Sequence, residues 1–226
     1  MNNTFIHLRT LSSYSLSEST LKISNLVSIA KKNNMPAIAI TDNNNMFGVF
    51  EFAQECIRNN IQPIIGTTIN LIDIKLNNKF SQITFLVKNE EGYKNLLHLS
   101  SLSHLNEFSN VGVTIKQIEE NSNGLYCYIG GEFNPLLILK KENKNNEIDN
   151  LIKKFKFIFK KNFLFEIQRI NDFKIDNFEK EFISYANKYD IRRGSNNGCN
   201  TSYRTSVCNS KHKGFTHLVS FLFWYF

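Results

Sequence analysis

"MPAIAITDNNNMFG" (residues 35–48) and, shortly after it, "IQPIIGTTINL" (residues 61–71) bracket the unit that decides the fold. A short β-rich run at 37–41 ends in an Asp-Asn turn, helical spacing follows over 47–59, and a second β-rich run occupies 64–72. The same alternation continues outward in both directions. Further strands are expected at 4–8, 82–88, 125–129 and 163–168, and further helices at 20–33, 90–105, 115–121, 147–160 and 176–189. The first helix follows "SEST", whose hydroxyls suit an N-cap, and carries Leu21, Leu26, Ile29 and Ala30 on one side. Such repetition predicts parallel strands covered by helices, in a barrel or an open sheet. Chemistry is then expected at the C-terminal ends of the strands.

The 226 residues suffice for one domain with a sizeable core, and 42% hydrophobic with 21% charged residues is a globular composition. Phe (20) and Tyr (8) are abundant. The Asn clusters at 33–34, 43–45 and 145–146 carry little functional weight, because a coding bias toward Asn and Lys explains them. The formal charge of +7 suggests nucleic acid until its location is considered. From residue 191 onward there are five basic residues and no acid, which leaves +2 for residues 1–190. A near-neutral body lacks the footprint of a phosphate-tracking surface. The Lys-rich run over 140–161 alternates with Ile, Leu and Phe at helical spacing and reads as a solvated helix face.

Cys56, Cys127, Cys199 and Cys208 form no CxxC motif and follow no signal peptide, which fits a reducing cytoplasm. No apolar run approaches the ~20 residues of a membrane span. Neither a phosphate loop nor a G-x-S-x-G elbow is present. His98 and His104 fall on a helix, while His212 and His217 fall near the end without a partner at metal spacing.

Residues 191–226 break the pattern: they contain the single Trp and two of the four Cys, and finish in an apolar cluster. Two readings compete, a C-terminal tail that docks elsewhere or out-of-frame translation, and the missing periodicity favours the second. The domain is accordingly bounded at 1–190, with a weaker match to 197.

Taken in order, "FIHLRTLSSYS" (5–15), the two stretches quoted first, "QITFLVKNEEGYKNLLHLSS" (82–101), "NGLYCYIGGE" (123–132), "FLFEIQR" (163–169) and "YANKYDI…GSNN" (185–197) resemble the polymerase-and-histidinol-phosphatase (PHP) domain. The resemblance is to the PHP domains at the N-terminus of bacterial DNA polymerase III alpha subunits. It implies an α/β fold, a PHP-type distorted β/α barrel, incomplete here at the C-terminus.

In metal-binding members, His, Asp, Glu and Cys at the barrel mouth hold divalent ions that activate water and stabilise charge on a phosphate ester. Matched residue by residue, the family's opening ligands fall on Arg9, Leu11 and Ser13, and the His of its T-D-H on Asn43. A Glu falls on Thr68, a His on Gln82, a Cys on Gly131, and the last Asp and His on Asn197 and Cys199. All nine ligand positions are changed, so the resemblance implies no metal, no cofactor and no catalytic residue in this chain. His7 and Asp42 are retained as polar residues. His7 is expected to be structural, and Asp42 to satisfy turn amides. A further expectation pairs Arg9 with Asp42 across the former site.

The resemblance further implies membership of a replicative DNA-directed DNA polymerase whose nucleotidyl-transferring palm is absent from this stretch. The expected role is an inactive scaffold docking an epsilon-type proofreading exonuclease, alongside other replicase subunits, with primer-template DNA reached only through the full-length polymerase. The alternative is a free-standing PHP metal-dependent phosphoesterase.

Overall fold

A computed structural model describes residues 5–76, 79–105, 111–168 and 173–196. The elements run α1 (Ile23–Lys32), β1 (Ala37–Ile40), α2 (Val49–Arg58), β2 (Gln62–Leu76), β3 (Lys79–Val87), α3 (Glu90–Leu105), α4 (Ile115–Glu120), β4 (Leu125–Gly130), α5 (Pro135–Lys141), α6 (Asn145–Phe159), β5 (Phe163–Gln168), α7 (Phe173–Lys188) and β6 (Arg192–Asn196). The six strands form one curled sheet in sequence order. This is a PHP-type α/β half-barrel, as the sequence predicts.

Not every pairing is parallel. β1–β2, β4–β5 and β5–β6 are parallel, but β3 runs antiparallel to both β2 and β4. The reason lies in the connection: parallel neighbours need a crossover of roughly a dozen residues or more, usually a helix. The segment between β2 and β3 is far too short for that, so the chain doubles back as a long hairpin. β1, β2, β4, β5 and β6 nevertheless share one direction, and their C-terminal ends lie at one end of the sheet.

The expected first strand at 4–8 is not a regular strand; from Phe5 onward an extended segment lies beside β1. Ala39 N–H donates to the His7 carbonyl at 2.9 Å and Thr41 N–H to the Thr10 carbonyl at 2.8 Å. Between them the ladder is interrupted by side chains: Thr10 N–H donates to Thr41 Oγ1 at 3.0 Å, and the Thr10 hydroxyl to the Ala39 carbonyl. Hydroxyls have taken over the bonds that a backbone ladder would make.

α1 starts at Ile23 rather than at residue 20, with Lys22 at the N-cap and no side-chain cap. Its buried residues are Ile23, Leu26, Val27 and Ala30, while Ile29 is exposed, which rotates the expected face. The predicted capping hydroxyl of Ser19 instead donates to the Leu11 carbonyl at 3.0 Å. α5 was not anticipated, although its start is legible: Asn134 accepts from Leu137 N–H at 2.9 Å and Pro135 opens the first turn. β6 falls inside the region read as aperiodic, and pairs Arg192–Asn196 with β5. α6 buries Ile148, Leu151, Ile152, Phe155 and Phe159, and leaves Lys153 and Lys154 in solvent as an amphipathic helix requires.

Alternate residues of the strands face two cores. Ile38, Ile40, Ile65, Ile69, Phe85, Cys127, Ile129, Phe163 and Phe165 meet the helices, and Phe85, Phe159, Phe155, Phe163, Phe165 and Phe182 form a chain of ring contacts there. Leu8, Ala37, Ala39, Ile64, Leu86, Tyr128 and Leu164 fill the concave side. The Phe-rich composition is therefore largely a packing feature.

Two glycines permit α3 to close on the turn before β4. A Cβ on Gly92 would stand 1.8 Å from the Gly124 carbonyl oxygen, and Gly124 itself has φ +71°. We expect Gly92→Ala to destabilise the fold by roughly 2 kcal/mol or more, read as a lower urea midpoint.

Burial also pushes the Cys56 thiol up to about 12, with Glu55 adding to the effect, and the Cys127 thiol well above its ordinary value. The unfolded thiols ionise near pH 9 while the folded ones stay protonated, so stability present below pH 9 falls as pH rises toward 12. Urea titrations at pH 8 and pH 10.5 test this, and Cys56→Ala should flatten the decline.

Candidate functional site

The C-terminal ends of the parallel strands collect most of the residues singled out in the sequence. Asn43 follows β1 and bridges to Thr68 on β2, Gln82 begins the part of β3 opposite Asn70, and Gly131 follows β4. Arg9, Leu11 and Ser13 enter from the extended N-terminal segment. Asn197 and Cys199 lie outside the described residues.

Arg9 does not turn toward Asp42. Its Nη1 lies 3.1 Å from Glu166 Oε2 and 3.3 Å from the Gly130 carbonyl, so the guanidinium spans the concave face from the edge beyond β1 to β4 and β5. The Glu166 side chain is fully buried and that of Arg9 is 16% exposed. Glu166 was missed in the sequence, but its signal is present: "FLFEIQ" places one carboxylate at an inward position of an otherwise apolar strand. A charge there requires a partner. Gly130 makes the room, since a Cβ on it would come within 2.3 Å of Glu166 Cβ and 2.9 Å of Glu166 Oε2. Beside the pair, Tyr128 is buried with its hydroxyl lacking a protein partner. Burial raises this phenol well above its ordinary value; Glu166 adds to the shift and Arg9 opposes it.

Asp42 is held by a different set. Oδ1 accepts from Ser12 N–H and from the Ser15 hydroxyl, and Oδ2 from the Ser12 hydroxyl, each at 2.6 Å. The serine oxygens in turn accept Tyr14 N–H at 3.2 Å and Asn43 N–H at 3.1 Å. The Asp42 carbonyl accepts from Thr68 N–H and the Thr67 hydroxyl. One buried residue thus ties the N-terminal loop to the ends of β1 and β2. The expectation that Asp42 satisfies amides of its own turn is corrected: its carboxylate takes one amide, that of Ser12 in the N-terminal loop, and two serine hydroxyls, while Asn43 N–H in the turn goes to Ser15. The expected Arg9–Asp42 pair is replaced by two separate arrangements: serines satisfy Asp42 locally, and Arg9 pairs with the buried Glu166 carboxylate.

The remaining positions are engaged in structure. Thr68 and Thr84 share a hydroxyl contact at 2.9 Å across β2 and β3. Gln82 Nε2 donates to Asn70 Oδ1 at 3.4 Å. Asn43 Nδ2 donates to Glu18, while Asn43 Oδ1 is buried without a protein partner. Gly131 has φ +79°. Leu11 and Ser13 are half-buried, with the Leu11 carbonyl bonded to Ser19 and Ser13 N–H to the Leu21 carbonyl. The ring of His7 packs edge-on against Phe5 at 4.7 Å. His104 Nε2 lies 2.7 Å from the Asn44 carbonyl and fastens the end of α3 to the loop after β1. Asn44 adopts φ +55°, and its side chain accepts Asn70 N–H at 2.8 Å, a structural use of the Asn cluster.

This donor set does not fit a cluster of divalent ions. Arg9 brings a guanidinium and Leu11 an aliphatic side chain, and the buried Glu166 carboxylate is already paired. Among the described residues, no group of three His, Cys, Asp or Glu is arranged to hold a metal ion.

Comparison with known proteins follows this geometry closely. The profile of the PHP domain family matches residues 7–170. The DNA polymerase III subunit alpha of Rickettsia conorii is 38% identical over 175 residues, covering 75% of this chain and 14% of that protein. The corresponding subunit of Borreliella burgdorferi is 36% identical over 199 residues, covering 83% of this chain and 17% of that protein. The chain thus spans about one sixth of the length of these relatives. Among solved structures, an amidohydrolase from Chromobacterium violaceum superposes with a TM-score of 0.55 at 12% identity, covering 86% of this chain and 87% of that one. A Bifidobacterium adolescentis protein provisionally described as a metal-dependent phosphoesterase gives 0.52 at 12% identity, with 84% and 85% covered.

Removing one member of a buried ion pair leaves the other charge uncompensated, at a cost of about 3 kcal/mol. Arg9→Ala and Glu166→Ala should each lower stability by that order. An Arg9→Ala/Glu166→Ala double variant should lose less than the two single losses added together. Urea denaturation of the four proteins measures the coupling, and additive losses would show that the pair is not a unit.

Proposed function

Because the chain belongs to the PHP domain family, we propose that it acts as the PHP domain of a DNA polymerase III alpha subunit, a catalytically inactive scaffold that carries a proofreading exonuclease subunit. The observation supporting this reading is the Arg9–Glu166 pair, which puts a fixed positive charge and an engaged carboxylate where metal-binding members of the family need free ligands. A site so occupied suits structural work better than phosphate-ester chemistry. Nucleotidyl transfer in this reading belongs to the remainder of the polymerase. Primer-template DNA and the other replicase subunits are then met only through the full-length protein, in the cytoplasm. No helix among the described residues is long and apolar enough to cross a membrane.

A free-standing phosphoesterase is the competing reading, supported by the fold it shares with the Bifidobacterium protein. The two differ in a direct assay. Purified protein, incubated with manganese or zinc and then dialysed, is expected to retain no stoichiometric metal and to release no phosphate from a generic phosphomonoester. It is also expected to co-elute with the exonuclease subunit of the same replicase in gel filtration. Retained metal together with phosphate release would overturn the scaffold reading.

A further inference from the structure

Helix α2 has a side that the fold does not use. Val49, Phe52, Ala53 and Cys56 are buried, while Phe50, Glu51, Gln54, Ile57 and Arg58 are exposed. Phe50 is 74% and Ile57 51% exposed, and among the described residues nothing covers them. Residues 50, 54 and 57 are spaced by four and three, the intervals that line side chains up along a helix, so they form one ridge. At about 100° per residue, Phe50 and Ile57 fall on one flank of the outward face. Glu51, Glu55 and Arg58 fall on the other.

The charges on that second flank change sign along the helix. Glu51 stands at the N-terminal end, where its Oε2 accepts the Tyr14 hydroxyl at 3.0 Å. Arg58 stands at the C-terminal end with its side chain 70% exposed, 3.5 Å from Glu55 through Nη1 alone. Its other guanidinium donors leave room for a second carboxylate. Lys31 of α1 adds to this basic end, its Nζ donating to Asn59 Oδ1 at 3.1 Å. Such a face complements its own copy turned end for end. A two-fold axis lying between the helices and across their length brings like flanks together and opposite ends together, so apolar meets apolar and acid meets base. With the axis between Gln54 and Glu55, Glu51 of each copy comes level with Arg58 of the other. Phe50 then stands two positions, about 3 Å of rise, from Ile57 of the other copy. A partner of uniform charge would match one end of the ridge and oppose the other.

We propose that two copies of this chain associate through antiparallel α2 helices, with Phe50 and Ile57 packed across the axis and Glu51 paired with Arg58 in both directions. The ten-residue helix offers a contact only about 15 Å long. The dimer is therefore reversible and dissociates in the micromolar range.

Sedimentation equilibrium of the purified protein from about 1 to 100 µM, which brackets such an affinity, is expected to show the mass rising from one chain toward two. Phe50→Ser/Ile57→Ser should hold it at one chain throughout, with an unchanged circular dichroism spectrum. Glu51→Lys and Arg58→Glu should each weaken association several-fold. An equimolar mixture of those two variants, or the Glu51→Lys/Arg58→Glu double variant, should restore it, because each arrangement again sets unlike charges opposite one another. A single-chain mass over the whole range for the unsubstituted protein overturns the proposal. A dimer that the serine variant leaves intact, or one that the paired charge reversals fail to restore, places the contact on another face or in another register and overturns it equally.

Discussion

The Arg9–Glu166 pair joins the two sides of a curled sheet. Arg9 belongs to an extended segment held to β1 by few backbone bonds, and Glu166 to the strand four places across the sheet. A guanidinium reaching both a buried carboxylate and the Gly130 carbonyl fixes the curvature between them. The geometry leaves little tolerance, because Gly130 must lack a side chain for Glu166 to lie where it does. Taking charges out of water is costly, and a lone one would be more so, which makes the two residues interdependent.

Around that strut the mouth of the sheet is organised by side-chain hydrogen bonds. Asp42 gathers Ser12 and Ser15, Thr67 and Thr68 bind the Asp42 carbonyl, Thr68 also meets Thr84 of β3, and Asn44 ties the loop to Asn70 of β2 and to His104 of α3. Arg9, Asn43, Thr68 and Gln82 bond to Glu166, Glu18, Thr84 and Asn70 in turn, so loop positions follow from local contacts.

Much of the architecture is legible in the residues. The alternation of β-rich and helical segments specifies an α/β sheet, and the motifs from Phe5 to Gln168 specify the PHP domain. The hairpin could have been read too, since nine residues between the expected strands cannot make a parallel crossover. The start of α5 at Asn134-Pro135 carried its own signal.

What the amino-acid order alone determined is therefore the family and the layering, because each depends on local periodicity or on residue identity at motif positions. Tertiary structure decided which carboxylate receives Arg9. Asp42 is nearer to it in sequence and Glu166 is 157 positions away, yet nearby serine hydroxyls satisfy the first and the curvature of the sheet delivers the second. Pairing between charges depends on distance and competing donors in space, and neither quantity is written in sequence separation.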